Sequence, residues 1–252
     1  VSVRGGPRYW LAGFVAMFRW QLASLRLFML LIVAVEMLTG IGLVVAIGLM
    51  VPDIPLVAAL YATTGAAVVA LVLIGLVFGP QLIAMQKIQG TYEYLIALPV
   101  ARSATVLAWC GVTLVVGLPG AAAAIAFGAW HYGLDLRASM AIVPATLLTL
   151  FTATMLGSSI AHAAREPMVT VILSQVLVFL AFGYAPISFP ASQMPHWLAE
   201  ANRGLPFLPM ASVVRGSLTH GLVGSLTESY LVLAAWAAAS VALATWALGR
   251  RR

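Results

Sequence analysis

The sequence is poor in charge, in lysine and in cysteine, and each shortage excludes something. Only 8% of its 252 residues are charged, against about a quarter in an ordinary soluble domain. A soluble enzyme or binding domain of this size is therefore excluded. The single lysine, Lys87, is flanked by Gln86 and Ile88. A phosphate-binding loop needs a Gly-Lys-Ser/Thr run, so any ATP-driven work must fall to another polypeptide. The lone cysteine, Cys110, lies in an apolar run and cannot form a disulfide within the chain. The four histidines fall on separate segments, none at metal-ligand spacing with a second ligand. No metal site and no catalytic residue is expected. No small-residue cleavage site follows the first apolar run, so a cleaved signal is not expected either.

What is abundant is hydrophobic side chain, 63% of the residues. A bilayer core takes about 20 apolar residues per helix, and the chain has room for six such spans with short connections. The runs are 27–50, 56–78, 104–130, 140–160, 168–184 and 226–248. Pro52, Asp53 and Pro55 close the first, and Gly79-Pro80 is expected to end the second. Pro119-Gly120 predicts a kink in the third. The reading is an all-α membrane protein forming one unit over 1–252.

Residues 8–26 precede the first span and have a pattern of their own. At 100° per residue Arg8, Arg19 and Arg26 fall within about 20° of one another, with Trp10, Leu11, Phe14, Phe18, Leu22 and Leu25 opposite. Aromatic and leucine side chains facing a row of arginines describe a helix lying in the membrane interface. A second irregular stretch is 185–225, where Pro186, Pro190, Pro195, Pro206 and Pro209 alternate with Trp197, Phe207 and Met210. Exposed irregular backbone cannot cross lipid. One or two short re-entrant or interfacial helices are expected there.

The longest polar stretch with a helical pattern between the first and last spans is 86–102, QKIQGTYEYLIALPVAR. Gly90 and Thr91 read as a stop and a restart, with Thr91 as N-cap. Tyr92, Leu95, Ile96 and Pro99 recur at three- and four-residue spacing, and Glu93 sits in the first turn. The pattern fits a short amphipathic docking helix, whose apolar face would be covered by a partner, and it also fits a solvated connecting loop.

Basic residues set the orientation. Arg4, Arg8, Arg19, Arg26, Lys87, Arg102, Arg165 and Arg250 to Arg252 fall on one side of a six-span topology, and Arg137, Arg203 and Arg215 on the other. Ten against three places both termini in the cytoplasm, and this asymmetry accounts for the formal charge of +6 without nucleic acid. Glu36 stands inside the first span, where a carboxylate costs several kcal/mol unless paired, protonated or watered. Two readings follow: a contact for a cationic substrate, or a neutral glutamate bonded to a neighbouring helix. Gln175 and Ser174 in the fifth span are weaker candidates of the same kind.

Gly90-Thr91, Glu93, Leu95 and Leu98-Pro99 just after the second span resemble the coupling segment of ABC-2 type transporter permeases. The 8–26 segment is similar to their elbow helix. Phe189-Pro190, the run Pro195-His196-Trp197-Leu198, and Pro206 to Pro209 are similar to their external element before the last span. The resemblance implies a permease that works with a separate ATP-binding cassette subunit, which binds the ATP and magnesium, and with a second identical or paralogous permease. It implies no cofactor in this chain and assigns the coupling role to Thr91, Tyr92, Glu93, Leu95 and Ile96. It implies export of hydrophobic small molecules through a bacterial plasma membrane, and the compact size looks more like the antibiotic-efflux, daunorubicin-type branch than exporters of lipid or polysaccharide precursors. An ion-coupled secondary transporter would need internal repeats and ionisable groups near the midplane, where only Glu36 qualifies. A membrane subunit without transport is a third alternative. A rhomboid-type protease is a poor match: Gly157-Ser158-Ser159 and His162 lack the following glycine, and small residues of this kind pack helices.

Overall fold

The computed structural model describes residues 6–219 and 221–249. Arg4, His220 and the arginines at 250–252 lie outside the described residues, as does the side chain of Ile96. Eleven α-helices run through the described residues: α1 (Pro7–Leu25), α2 (Met29–Met50), α3 (Leu56–Leu73), α4 (Gly79–Ile88), α5 (Thr91–Ala97), α6 (Arg102–Tyr132), α7 (Ile142–Ala163), α8 (Pro167–Tyr184), α9 (His196–Gly204), α10 (Phe207–Leu218) and α11 (Thr227–Gly249). No strand occurs among them. Six helical stretches are long and apolar enough to cross a membrane, with α3 and α4 counting as one.

That union departs from the expectation that Gly79-Pro80 would end the second span. A π-helical turn, Ile74–Phe78, joins α3 to α4, and the Gly79 amide donates to the Ile74 carbonyl five residues back. Pro80 has no amide to donate, and the wider turn lets the helix pass it without breaking. Packing holds the turn in place. A Cβ on Gly75 would lie 2.7 Å from the Ala153 Cβ, and one on Gly157 would lie 2.4 Å from the Gly75 carbonyl oxygen. The two glycines let α7 press directly on the widened turn. Small residues at such crossings let backbones approach where lipid supplies no hydrophobic drive.

α3 is the centre of the bundle, with every residue from Ala62 to Val72 buried. α2 and α6 cross beside it through another glycine pair. A Cβ on Gly40 would sit 2.5 Å from the Gly120 carbonyl oxygen, and one on Gly120 would sit 2.8 Å from that of Glu36. α6 continues as one helix through Pro119. α2 and α8 lie at the periphery and expose Leu30, Leu31, Leu38, Ile172, Val176 and Phe179. In water these apolar faces would be untenable; against lipid or a second protein they are ordinary.

The proline-rich stretch forms two short helices, as expected, with a 3₁₀ turn at Ala191–Gln193 before them. α10 is the inner one. It packs on α3, α7 and α11 and buries Phe207, Met210, Val213 and Val214. The loop after α6 clips onto its end, the amides of Arg137 and Ser139 donating to the carbonyls of Leu218 and Ser217. α9 and α10 therefore close one end of the bundle, and α5 lies at the other.

Candidate functional site

α4 is capped by Gln89, and Gly90 follows at φ 74°, a left-handed conformation that favours glycine. The chain thereby turns sharply into α5. Thr91 is the first residue of α5 rather than its cap, and its hydroxyl donates 3.2 Å back to the Gln86 carbonyl. The left-handed glycine leaves no extended residue from which a side chain could cap the helix. Leu98 returns to an extended conformation before Pro99, the backbone that a following proline favours.

On the apolar face that the spacing of α5 picked out, Tyr92 lies against this chain's own helices. Tyr92 is 3% exposed and is covered by this chain, packed with Ile83 of α4 and Ala161 of α7. Its hydroxyl is hydrogen-bonded to Nδ1 of His162 at 2.8 Å. Lys87 lies over the same ring, its Nζ 5.2 Å from the centroid. That ammonium donates to the Ala161 carbonyl and, at 2.8 Å, to that of Ala164. Lysine thus satisfies the open carbonyls at the C-terminal end of α7, where the helix dipole also favours a cation. α4, α5 and α7 are joined at one corner by Lys87, Tyr92 and His162. Leu95 is half-buried behind Tyr92. The side of the corner that faces outward carries Ile88 and Tyr94, each 69% exposed, with Thr91, Glu93 and Ala97.

Behind α5 a partly open pocket of about 90 Å³ is lined by α1, α4, α6 and α7 and by Tyr92 and Leu95 of α5 itself. Gln21, Trp109 and Ser158 line it, and in each a buried polar atom (Oε1, Nε1 and Oγ) has no partner among the described residues. Water's share of liquid volume is about 30 Å³, and buried waters typically bridge such groups. The pocket is roomy and polar enough for water to bridge these groups of α1, α6 and α7.

α1 carries Arg8 and Arg19 on its exposed side, with Arg26 exposed just after its end. Trp10, Phe14 and Phe18 form a stacked column, with centroid spacings of 5.7 and 6.0 Å. The Tyr9 hydroxyl donates to the Pro99 carbonyl, and the Trp10 indole donates 2.9 Å to the Ser103 hydroxyl. Both bonds tie α1 to the segment that follows α5. Glu36 is buried where α2 meets Gly120, and its Oε2 has no partner among the described residues. Gln175 faces outward on α8, whose neighbours are α4 and α7. The structure does not bring Glu36 and Gln175 together in one site.

Sequence reasoning did not single out Lys87 and His162 as a pair, nor Arg215. The first two had a faint signal, each being a cation-forming residue in the last turn of its helix. Arg215 had a plainer one, as the only charged residue of the apolar helix α10.

A bundle of six membrane-length helices, a short helix latched at one end and two short helices closing the other define a multi-pass membrane protein. The sequence profile of the ABC-2 type transporter matches residues 56–219, more than half of the chain. The chain belongs to the ABC-2 type transporter family. It is a membrane permease component of an ABC transporter and not itself the ATPase, and its family implies an ATP-binding partner subunit. A search of curated proteins finds no match.

Proposed function

We propose that this permease exports hydrophobic small molecules, including drugs, from a bacterium, with ATP and magnesium bound and hydrolysed by a separate subunit. α5 is the coupling helix. The observation that carries the reading is the Lys87–Tyr92–His162 corner. It makes α5 rigid with α4 and α7 while leaving Ile88, Glu93 and Tyr94 facing out. A push on that outer side is delivered to two spans at once, and through the π-turn to α3 in the centre.

The docking face is therefore Ile88, Glu93 and Tyr94 rather than Tyr92 and Leu95. Tyrosine and aliphatic anchors are where association energy concentrates. Both termini and α5 lie in the cytoplasm, as the arginine distribution favours, and α1 lies in the interface with its arginines toward phosphate headgroups. α2 and α8 carry the face toward a second permease. An outward-facing glutamine in lipid is unfavourable, so Gln175 supports placing a protein against α8.

The test is pull-down of the ATPase subunit with Ile88→Ala/Tyr94→Ala, together with efflux of a fluorescent drug from vesicles. Each hot-spot truncation commonly costs about 2 kcal/mol or more. Loss of both association and efflux, at normal permease abundance, is expected. A double variant that binds and exports normally would overturn the assignment of α5.

A further inference from the structure

Arg215 heads the fully buried side chains by size among the described residues. It stands on α10 at the end of the bundle remote from α5. Its guanidinium carbon lies 3.9 Å from the centroid of the Tyr61 ring. Nε donates 3.0 Å to the Thr64 hydroxyl and Nη2 donates to the Ile187 carbonyl. These three partners are neutral, and among the described residues no carboxylate comes within 4 Å. A buried cation without a counter-charge is costly, and a membrane protein keeps one where it pairs or acts.

Arg215 also lines a cavity of about 380 Å³ between α3, α9, α10 and the start of α11, with Ser212, Ser225, Glu228 and Arg203, which is paired to Glu200 at 3.2 Å, on its walls. That volume lies within the usual range for small-molecule sites, about 300–1,000 Å³. The hydrogen bonds of the guanidinium found among the described residues run from Nε and Nη2. Arginine's planar fork matches paired oxygens of a phosphate, and its charge persists at any physiological pH.

We propose that this cavity binds a phosphodiester anion, with its oxygens on Arg215 and with Arg203 at its mouth. The serine hydroxyls supply further donors. Glu228 on the same wall disfavours a doubly charged phosphate, so a singly charged diester fits best. That chemistry is shared by phospholipid headgroups and by water-soluble glycerophosphodiesters. The site goes beyond the export function and does not depend on α5 being the coupling helix.

Calorimetric titration of the purified full chain in detergent tests the proposal with three probes: dihexanoyl phosphatidylglycerol, glycerophosphoglycerol and inorganic phosphate. At least one diester should bind more tightly than phosphate. If only the acylated probe binds, the source is a membrane lipid; if both bind alike, the headgroup alone is read. Exposed charges act weakly through solvent, so Arg203→Glu should weaken diester binding about fivefold and Glu228→Gln strengthen it about threefold. Arg215→Lys should lose about tenfold or more. Because Arg215 also holds Tyr61, Thr64 and Ile187 together, that variant can fail by unfolding, and the other two carry the test. No diester binding to the wild type, phosphate binding most tightly, or binding indifferent to both Arg203→Glu and Glu228→Gln would overturn the site. Arg215 would then be only a clamp.

Discussion

The hydroxyl of Tyr92 and Nδ1 of His162, 70 residues apart in the chain, are 2.8 Å from each other. This contact makes α5 part of the bundle rather than an appendage of it. The burial of Tyr92 also separates two roles that share one short helix: holding it to the permease and presenting it to a partner.

Tyr92→Phe keeps the ring over Lys87 and removes the bond to His162. A net loss of about 1 kcal/mol is typical for one hydrogen bond, too little to unfold the chain. Abundance and ATPase association should be unchanged, and substrate moved per ATP hydrolysed should fall. Tyr92→Ala removes the ring, typically about 3–5 kcal/mol for a buried aromatic, and should lower abundance itself. Unchanged transport per ATP in Tyr92→Phe would place the latch outside the transmission path.

Gly40→Ala puts a methyl group 2.5 Å from the Gly120 carbonyl oxygen, so α2 and α6 must separate. Overpacking of this kind costs about 1–3 kcal/mol. Gly42 on the same helix has nothing within 4 Å, and Gly42→Ala should be neutral or slightly stabilising, because alanine has the better helix propensity. Thermal aggregation in detergent measures both. Equal midpoints for the two variants would refute the close crossing.

Glu36→Gln distinguishes the two readings of a buried carboxylate with an unpartnered oxygen. A substrate contact predicts reduced export of cationic compounds, with neutral ones and abundance spared. Loss across all compounds, or a drop in abundance, would make Glu36 a packing residue.

Orientation is accessible to labelling. In a Cys110→Ser background, cysteines at positions 135 and 196 should react with an impermeant reagent from outside, and one at 165 only from inside. External labelling at 165 would sink the orientation.

The six membrane helices were legible because each is a long apolar run bounded by prolines, glycines or charges. Their junctions were less so. Gly79-Pro80 carries the signature of a helix end, and what overrides it is Gly157 of α7 against the widened turn, a contact that no local pattern displays. At α5 the periodicity correctly named Tyr92 and Leu95 as an apolar face. Spacing cannot say whose surface covers such a face, and here α4 and α7 cover Tyr92. Arg215 was counted only as a charge on the sparse side of the topology. Its burial against Tyr61 depends on how the proline-rich stretch folds back onto α3.

The π-turn at Ile74–Phe78 means that the helix from Leu56 to Ile88 carries one residue of slack. Relative to an unbroken α-helix, one inserted residue turns everything beyond it by about 100°, the angle that one residue subtends. Lys87 hangs from the distal end of this shaft. There its ammonium fastens the far end of the central helix to the C-terminal carbonyls of α7, so the extra residue sits between two anchored ends and the anchor at one of them is the sole lysine of the sequence.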